Sequence, residues 1–324
     1  MRDRPNILFL MSDEHRPDVT GYEGNDVVRT PTLDWLAEGG VVFRNAYTPS
    51  PICIPARQCL MAGQLPMTCG CQRFGTDLPP FAMTFAQRFT QHAYATSCHG
   101  KLHHTGRDQM QGWAHRGSGD MSLAGWAVDG LIDEEAKRYQ PERGTGKWSN
   151  QKEIERASIG GGHHVRRDAR ATQSAIDFIE NHFVSPMYDR PGHHRPLLLK
   201  HSLVQPHYPF FTDEAKFNYY MNRVPIFEDE RFDHPVLRRS QNMDRVQATP
   251  RDIRRATAGY YGMVETIDEH YGDVLGALRH VGEELDDWII VYTSDHGEML
   301  GEHGVWEKTR FFEASVRVPL IIRW

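Results

Sequence analysis

Two short apolar runs, each followed by an acidic residue, restrict the fold of this 324-residue chain most strongly. Residues 5–11 end in Ile-Leu-Phe-Leu-Met and lead to Asp13, and residues 288–292 read Trp-Ile-Ile-Val-Tyr and lead to Asp295. Continuous apolar runs of this length are typical of strands buried on both faces, as in parallel sheets. Acidic residues at the carboxyl ends of such strands are where an open α/β sheet binds its ligands. An ordinary aspartate turn is the alternative for Asp13.

Further strand and helix patterns alternate along the chain. The other predicted strands cover residues 41–43, 94–98, 196–199 and 318–322, and the predicted helices cover residues 30–37, 81–91 and 252–281, with one more helix capped by Asp168. This alternation predicts an α/β protein with a mostly parallel central sheet and helices on both faces. Residues 105–165 and 211–252 lack a sustained period, so we expect a single domain over residues 1–324 with insertions at these two places.

A cysteine motif, Cys53-x-Pro55-x-Arg57, follows the second predicted strand. Pro55 suits the first turn of a helix, which places Cys53 just before that helix and near the positive end of its dipole. Arg57 lies about one turn further on and can fold back over the Cys53 side chain. The pattern predicts a cysteine with a lowered pKa that faces an anion. A small buried hydrophobic cysteine is the alternative.

Charge, cysteine usage and the first residues limit the expected partners and location. The net charge is −6 without a basic stripe, which argues against nucleic acid as a partner, and the apolar runs are too short to span a membrane. Residues 1–5 lead directly into a short apolar run that does not resemble a secretion signal, so we expect a cytoplasmic protein. Five cysteines, an odd number, suit reduced thiols. The histidine pairs 163/164 and 193/194 are expected at the solvated surface, and a homo-oligomer stays open.

Polar residues near the predicted strand ends indicate a site for a charged ester. Asp13, Asp295 and His296 offer oxygen and imidazole ligands that suit Ca²⁺, Mg²⁺ or Mn²⁺. A divalent cation with several cationic side chains nearby would fit a multiply charged anion such as a sulfate or phosphate ester. The residues that would supply positive charge or protons are Arg57, Lys101, His103, His207 and Lys308.

These motifs together resemble the sulfatase family. The Cys53 motif is similar to the segment in which the family's cysteine is oxidised to formylglycine, and residues 5–13 resemble its first strand and metal-binding turn. The Asp295-His296 pair looks more like choline sulfatases and phosphonate monoester hydrolases than like the Asp-Asn of many members. Further matches follow in the family's order: Gly-Lys-Leu-His at 100–103, Pro-His-Tyr-Pro at 206–209, Ser-Asp-His-Gly-Glu at 294–298, and Gly-Glu-His-Gly at 301–304 with Lys308 after it.

The resemblance implies an alkaline phosphatase-like sulfatase fold and the hydrolysis of a small-molecule or carbohydrate sulfate ester. Formylglycine made from Cys53 by a formylglycine-generating enzyme would be the nucleophile. The resemblance also implies a divalent metal, Ca²⁺ first and Mn²⁺ or Mg²⁺ as alternatives. Its ligands would be Asp13, Asp295, His296 and residue 53. Lys101 and Lys308 would offset the charge on the transferring group, Arg57 would favour the ionised hydroxyl of the hydrated formylglycine, and His207 or His103 would protonate the leaving alcohol.

The chain also departs from the family pattern. Ala56 stands where many members carry serine, and Glu14 replaces a second Asp or a Gln, which leaves its place among the metal ligands open. Members usually continue into a smaller C-terminal subdomain, which we expect to be missing here. Two alternatives therefore stay open: a phosphonate or phosphate ester hydrolase on the same fold, and a truncated, non-catalytic anion-binding protein.

Overall fold

A seven-stranded sheet forms the centre of the protein in the computed structural model, which describes residues 4–118, 151–184, 195–227 and 248–324. Its strands, numbered in chain order with two others, are β1 (Asn6–Ser12), β2 (Gly40–Val42), β3 (Ala95–Gly100), β4 (His115–Arg116), β6 (Leu197–Ser202), β8 (Trp288–Ser294) and β9 (Leu320–Arg323). The order across the sheet is β2-β9-β8-β1-β6-β3-β4. β9 runs antiparallel to its neighbours, and the other pairings are parallel.

The helices differ greatly in length, and the longest begins with a complete cap. They are α1 (Pro31–Glu38), α2 (Cys53–Ala62), α3 (Pro66–Cys69), α4 (Phe85–Gln91), α5 (Gln151–Arg156), α6 (His163–Val184), α7 (Glu214–Met221), α8 (Pro250–His280) and α9 (Glu313–Val316). At the start of α8, Thr249 and Asp252 exchange side-chain and backbone hydrogen bonds, a capping box that satisfies otherwise unpaired N–H groups. A small parallel sheet joins β5 (Ser158–Ile159) to β7 (Phe211–Thr212).

Helices cover both faces of the central sheet, as the sequence predicted. Successive side chains of a strand point to opposite faces. On β1, Leu8 and Leu10 therefore pack into the core that α6 and α8 share. Phe9 points the other way, and its ring stacks on Phe85 of α4 at 6.1 Å between centroids. Both faces of the strand are buried, which explains its continuous apolar run.

Two expectations for the α6 region are wrong. Asp168 does not cap the helix, because α6 begins at His163 and Asp168 lies within it. Its buried carboxylate instead accepts hydrogen bonds from the backbone N–H groups of Val204 and Gln205, at 2.7 and 2.8 Å. His164 is buried rather than solvated, because its ring packs against His207 at 5.8 Å between centroids.

The two predicted insertions are described only in part. Residues 119–150 and 228–247 lie outside the described residues, as do His193 and His194. Residues 211–221 are regular rather than irregular, since they form β7 and α7, and Asp213 caps α7 by accepting a bond from the Lys216 N–H. The single-domain arrangement stays a prediction. None of the helices in the described ranges combines the length and apolar character needed to cross a bilayer.

Candidate active site

The register of the parallel strands brings the two predicted acidic residues together. Ser12 of β1 lies opposite Ser294 of β8, so the next residues on each strand, Asp13 and Asp295, emerge side by side. Both are almost completely buried. The sheet therefore builds one edge on which residues far apart in sequence meet, as expected for the carboxyl ends of parallel strands.

Cys53 is the first residue of α2, with Ile52 as the N-cap. The expectation that it would precede the helix is wrong by one position, whereas Pro55 does lie in the first turn. The Cys53 side chain is buried, and its sulfur atom lies within 4.8 Å of a ring nitrogen of His296. The helix start thus presents the sulfur atom to the polar edge of the sheet.

Cations around Cys53 favour its thiolate form. Burial alone would raise the pKa of the Cys53 thiol, but Lys101, His103 and Lys308 together hold it well below its usual value. A cysteine that served only as a buried hydrophobic side chain would lack these partners. The lowered pKa agrees with the expectation from the sequence, and a catalytic role for Cys53 stays a prediction.

Arg57 joins the two acidic residues through its guanidinium group. Its Nε donates to Oδ2 of Asp295 at 2.7 Å, and its Nη2 donates to Oδ2 of Asp13 at 3.1 Å. Its Nη1 donates to the Lys101 carbonyl at 2.7 Å and to Oγ of Ser202 at 2.9 Å. The planar guanidinium thus fixes the positions of both carboxylates and of two neighbouring strand ends.

Lys101 reaches the site because the residue before it is a glycine. Gly100 has φ +90°, and a Cβ atom there would lie 1.9 Å from the carbonyl oxygen of Ser202. The buried ammonium group of Lys101 forms an ion pair with Oδ2 of Asp13. Burial would raise the pKa of Asp13, but the nearby cations, Lys101 foremost, hold it well below its usual range.

Three side chains offer atoms close enough together for one metal ion. Ligand atoms of Asp13, Cys53 and His296 all lie within 4.8 Å of one another. Oδ1 of Asp13 and Nε2 of His296 are buried and have no hydrogen-bond partner among the described residues. Oδ1 of Asp295 lies 3.7 Å from the same Nε2 atom. Carboxylate oxygens and an imidazole nitrogen are ordinary ligands of divalent cations, so these residues fit the metal that the sequence predicts.

Glu14, whose role the sequence left open, binds Lys308. Its Oε2 accepts a 2.7 Å hydrogen bond from Nζ of Lys308 and lies 3.5 Å from Nε2 of His207. Burial, with Glu298, raises the pKa of Glu14 and would lower that of Lys308, but the Glu14–Lys308 ion pair opposes the effect of burial on both and holds the pKa of Lys308 well above its usual value. Asp13, Glu14 and His207 form a second group of ligand atoms within 4.8 Å. Glu14 therefore lies beside Lys308 and His207, in a different group of ligand atoms from Cys53 and His296.

Sequence reasoning missed two residues that shape the site. Glu298 is completely buried, and its Oε1 accepts bonds from the N–H groups of Leu300 and Glu307, which fixes the loop before Lys308. The position of Glu298 inside the 294–298 motif could have indicated a role at the site. His164 packs on His207, and its Nε2 lies 3.1 Å from the Tyr208 carbonyl. Because the sequence predicted His164 at the solvated surface, its place beside His207 was missed.

Comparisons with known proteins agree on the family. A family model described as Sulfatase matches residues 5–324. The choline-sulfatase of Rhizobium meliloti is 29% identical over 98% of this chain and 62% of its own length. The arylsulfatase of Clostridium perfringens is 27% identical over 98% of this chain and 68% of its own length. The chain thus spans roughly three fifths to two thirds of the length of these curated relatives.

A solved structure shows the same fold. The phosphonate monoester hydrolase of Agrobacterium radiobacter superposes with a TM-score of 0.73 at 22% identity, and the match covers 99% of this chain and 68% of that chain. The predicted alkaline phosphatase-like fold is confirmed by this likeness. Because the family model extends over nearly the whole chain, the protein belongs to the sulfatase family.

Proposed function

We propose that the protein hydrolyses sulfate esters with formylglycine, made from Cys53, as the nucleophile and with one divalent metal ion. The observation that carries the proposal is the position of Cys53. It lies at the start of a helix, within 4.8 Å of ligand atoms of Asp13 and His296, and the pKa of its thiol is lowered chiefly by Lys101. Such a site suits a reacting group that handles a negatively charged ester.

Asp13, Asp295 and His296 would hold the metal, with residue 53 as a further ligand. We propose Ca²⁺ as the ion, with Mn²⁺ or Mg²⁺ as alternatives. When present, the cation supplies Lewis-acid chemistry, and hydrated formylglycine supplies one hydroxyl to attack sulfur and a second to release sulfate. Arg57 keeps the two aspartates in place, because its guanidinium binds Oδ2 of each.

Lys101 and Lys308 would offset the negative charge of the transferring group. Both are buried, Lys101 completely and Lys308 to 5% exposure, and low-dielectric surroundings strengthen their interaction with an anion. Each has an acidic partner that fixes its position, Asp13 for Lys101 and Glu14 for Lys308. The two ammonium groups are therefore positioned before substrate arrives.

His207 or His103 would protonate the leaving alcohol. The His207 Nδ1 donates to the Tyr208 carbonyl at 2.6 Å, so its Nε2 is the atom that faces the acidic residues. Burial, with Lys308 and other cations, holds the pKa of His207 well below its usual value, so the free ring is neutral with its hydrogen on Nδ1, and Nε2 would have to take up a proton before giving one to the leaving alcohol. His103, which helps to lower the pKa of the Cys53 thiol, is the second candidate.

Two other functions remain candidates, each with its own support. A phosphonate or phosphate ester substrate is supported by the Asp295-His296 pair and by the fold shared with a phosphonate monoester hydrolase. Anion binding without turnover is supported by the buried Lys101 and Lys308, which can bind an anion whether or not Cys53 is converted to formylglycine. A cytoplasmic location also stays a prediction, which the five free thiols support and cell fractionation would test.

The test uses the chain co-expressed with a formylglycine-generating enzyme and loaded with metal. Mass analysis of the peptide that contains residue 53 measures the modification, and rates on matched aryl sulfate, phosphonate and phosphate esters measure the reaction. We expect aryl sulfate to be the best substrate and Cys53→Ala to be inactive. A clear preference for phosphonate would replace the sulfate proposal, and anion binding without hydrolysis of any ester would support the non-catalytic alternative.

A further inference from the structure

We propose that the chain binds Zn²⁺ while Cys53 is still an unmodified cysteine, with the Cys53 thiolate as a ligand beside Asp13 and His296. A second part of the inference rests on the proposed function: conversion of Cys53 to formylglycine would change the metal ion that the site prefers. The zinc site itself follows from the positions of the three side chains.

The distances suit a small tetrahedral ion. The sulfur of Cys53, a carboxylate oxygen of Asp13 and a ring nitrogen of His296 lie within 4.8 Å of one another, and all three side chains are buried. Zinc bonds of about 2.0–2.3 Å place tetrahedral ligand atoms roughly 3.3–3.8 Å apart. Oδ1 of Asp295, which accepts bonds from the backbone N–H groups of Glu14 and His296, lies 3.7 Å from Nε2 of His296, the right separation for a fourth ligand. Small side-chain rotations would therefore complete the site.

The hydrogen bonds leave the correct atoms available. A carbonyl oxygen only accepts, so Nδ1 of His296, 3.0 Å from the Gly297 carbonyl, carries a hydrogen, and in the neutral ring Nε2 keeps its lone pair. This is the usual outer-shell arrangement of a zinc-binding histidine. Arg57 and Lys101 both bind Oδ2 of Asp13, which leaves Oδ1 without a partner among the described residues.

The chemistry of the ligands determines the choice of ion. Thiolate and imidazole ligands select zinc, whereas Ca²⁺ and Mg²⁺ select oxygen ligands. With sulfur at position 53, the set is one thiolate, one imidazole and carboxylate oxygen, a zinc-type combination. With formylglycine there, the sulfur is replaced by oxygen and the set favours a harder cation. The metal content of a preparation would then depend on how much of Cys53 has been converted.

A second group of thiols needs a control. Sγ of Cys59 lies 3.8 Å from Sγ of Cys69, and Cys71 adjoins Cys69. In the part of the chain that the structure describes, the three sulfur atoms do not all lie within 4.8 Å of one another, as the ligand atoms at Cys53 do. Two thiols can nevertheless bind a soft metal weakly. Cys69→Ser removes the central member of this group and leaves the site at Cys53 intact.

The experiment uses the full chain expressed without the modifying enzyme, with the thiol at Cys53 verified by mass. Titration with Co²⁺, a spectroscopic substitute for zinc, should give a thiolate-to-cobalt charge-transfer band that saturates at one equivalent and is abolished by Zn²⁺. Cys53→Ser should lose the band and bind Zn²⁺ roughly 100-fold more weakly, since even outer-shell changes cost 10–100-fold. Its affinity for Ca²⁺ should change less than about threefold. Cys69→Ser should behave as the wild type.

A further variant, His296→Ala, should weaken Zn²⁺ binding while keeping the thiol at Cys53. Weaker binding in this variant would show the loss of a metal ligand rather than a change in the fold around residue 53. The inference is overturned if the band persists in Cys53→Ser, disappears in Cys69→Ser, or never forms in folded wild-type protein. Hydrolysis is measured separately on the modified chain. Sulfate release by the modified chain, with no cobalt–thiolate band in the unmodified chain, contradicts this inference alone. The band without any hydrolysis by the modified chain contradicts the proposed function alone.

Discussion

Nζ of Lys308 donates a 2.7 Å hydrogen bond to Oε2 of Glu14, and both side chains are buried. The residues are 294 positions apart, so this bond fixes the loop that carries Lys308 against the turn that follows β1. Glu14 thus positions a lysine that the proposed reaction needs. The sequence alone left open whether Glu14 would instead bind metal.

Replacing Glu14 with glutamine keeps the size of the side chain and removes its charge. The buried Lys308 then lacks an ionised partner, so we expect the free energy of unfolding to fall by roughly 3 kcal/mol. We also expect kcat/KM for a sulfate ester to fall at least about tenfold, because Lys308 is no longer held in place. Urea denaturation and initial rates measure the two effects.

The control is Glu269→Gln. Glu269 accepts a bond of nearly the same length, 2.8 Å, from Lys216, but its side chain is 54% exposed. An exposed pair contributes at most about 1 kcal/mol. Equal losses of stability in the two variants would contradict the role given to Glu14.

Gly100→Ala tests how Lys101 reaches the site. The added Cβ would lie 1.9 Å from the Ser202 carbonyl oxygen, and the residue also has φ +90°. We expect a loss of at least about 3 kcal/mol in the free energy of unfolding, because neither backbone can move without disturbing the sheet. Gly24→Ala shares the positive φ, at +96°, but its Cβ would meet no atom within 4 Å. Gly24→Ala should lower the free energy of unfolding only by the roughly 1–2 kcal/mol of backbone strain. Equal losses of stability in the two variants would contradict the steric clash expected in Gly100→Ala.

Asp168 should make stability depend on pH. Burial raises the pKa of its carboxyl from 3.8 to about 7, so the folded protein binds this proton more tightly than the unfolded chain. The contribution of Asp168 to stability is therefore largest at low pH and falls as the pH rises from about 4 to about 7.

Asp168→Asn removes this dependence. Relative to wild type, the variant should gain about 2–3 kcal/mol in free energy of unfolding between pH 5 and pH 8, as measured by urea denaturation at each pH. Asp177→Asn, at an exposed position of the same helix, should show no such gain. A pH-independent difference between wild type and Asp168→Asn would mean that Asp168 titrates at its ordinary value.

The sheet and the meeting of Asp13 with Asp295 could be predicted from the sequence. Continuous apolar runs indicate strands buried on both faces, and parallel strands place their carboxyl ends at one edge. The sequence also pointed to Lys101, His207 and Lys308 as sources of positive charge or protons, and the family resemblance then gave each of them a role.

The roles of Asp168 and Glu14 could not be predicted, because each depends on a contact between distant residues. An aspartate before an apolar helical pattern usually caps the helix, which is why Asp168 was expected to do so. Its actual partners are the N–H groups of Val204 and Gln205, 36 and 37 residues away. The burial of His164 likewise depends on the position of His207.

The most direct measurement of the central claim is the rate of sulfate release as a function of the fraction of Cys53 converted to formylglycine. Preparations with different extents of conversion, each quantified by mass and loaded with the same metal, would be assayed on one aryl sulfate. We predict a straight line through the origin, with Cys53→Ala at zero. A rate that does not change with the converted fraction, or equal activity in Cys53→Ala, would contradict the claim that residue 53 is the nucleophile.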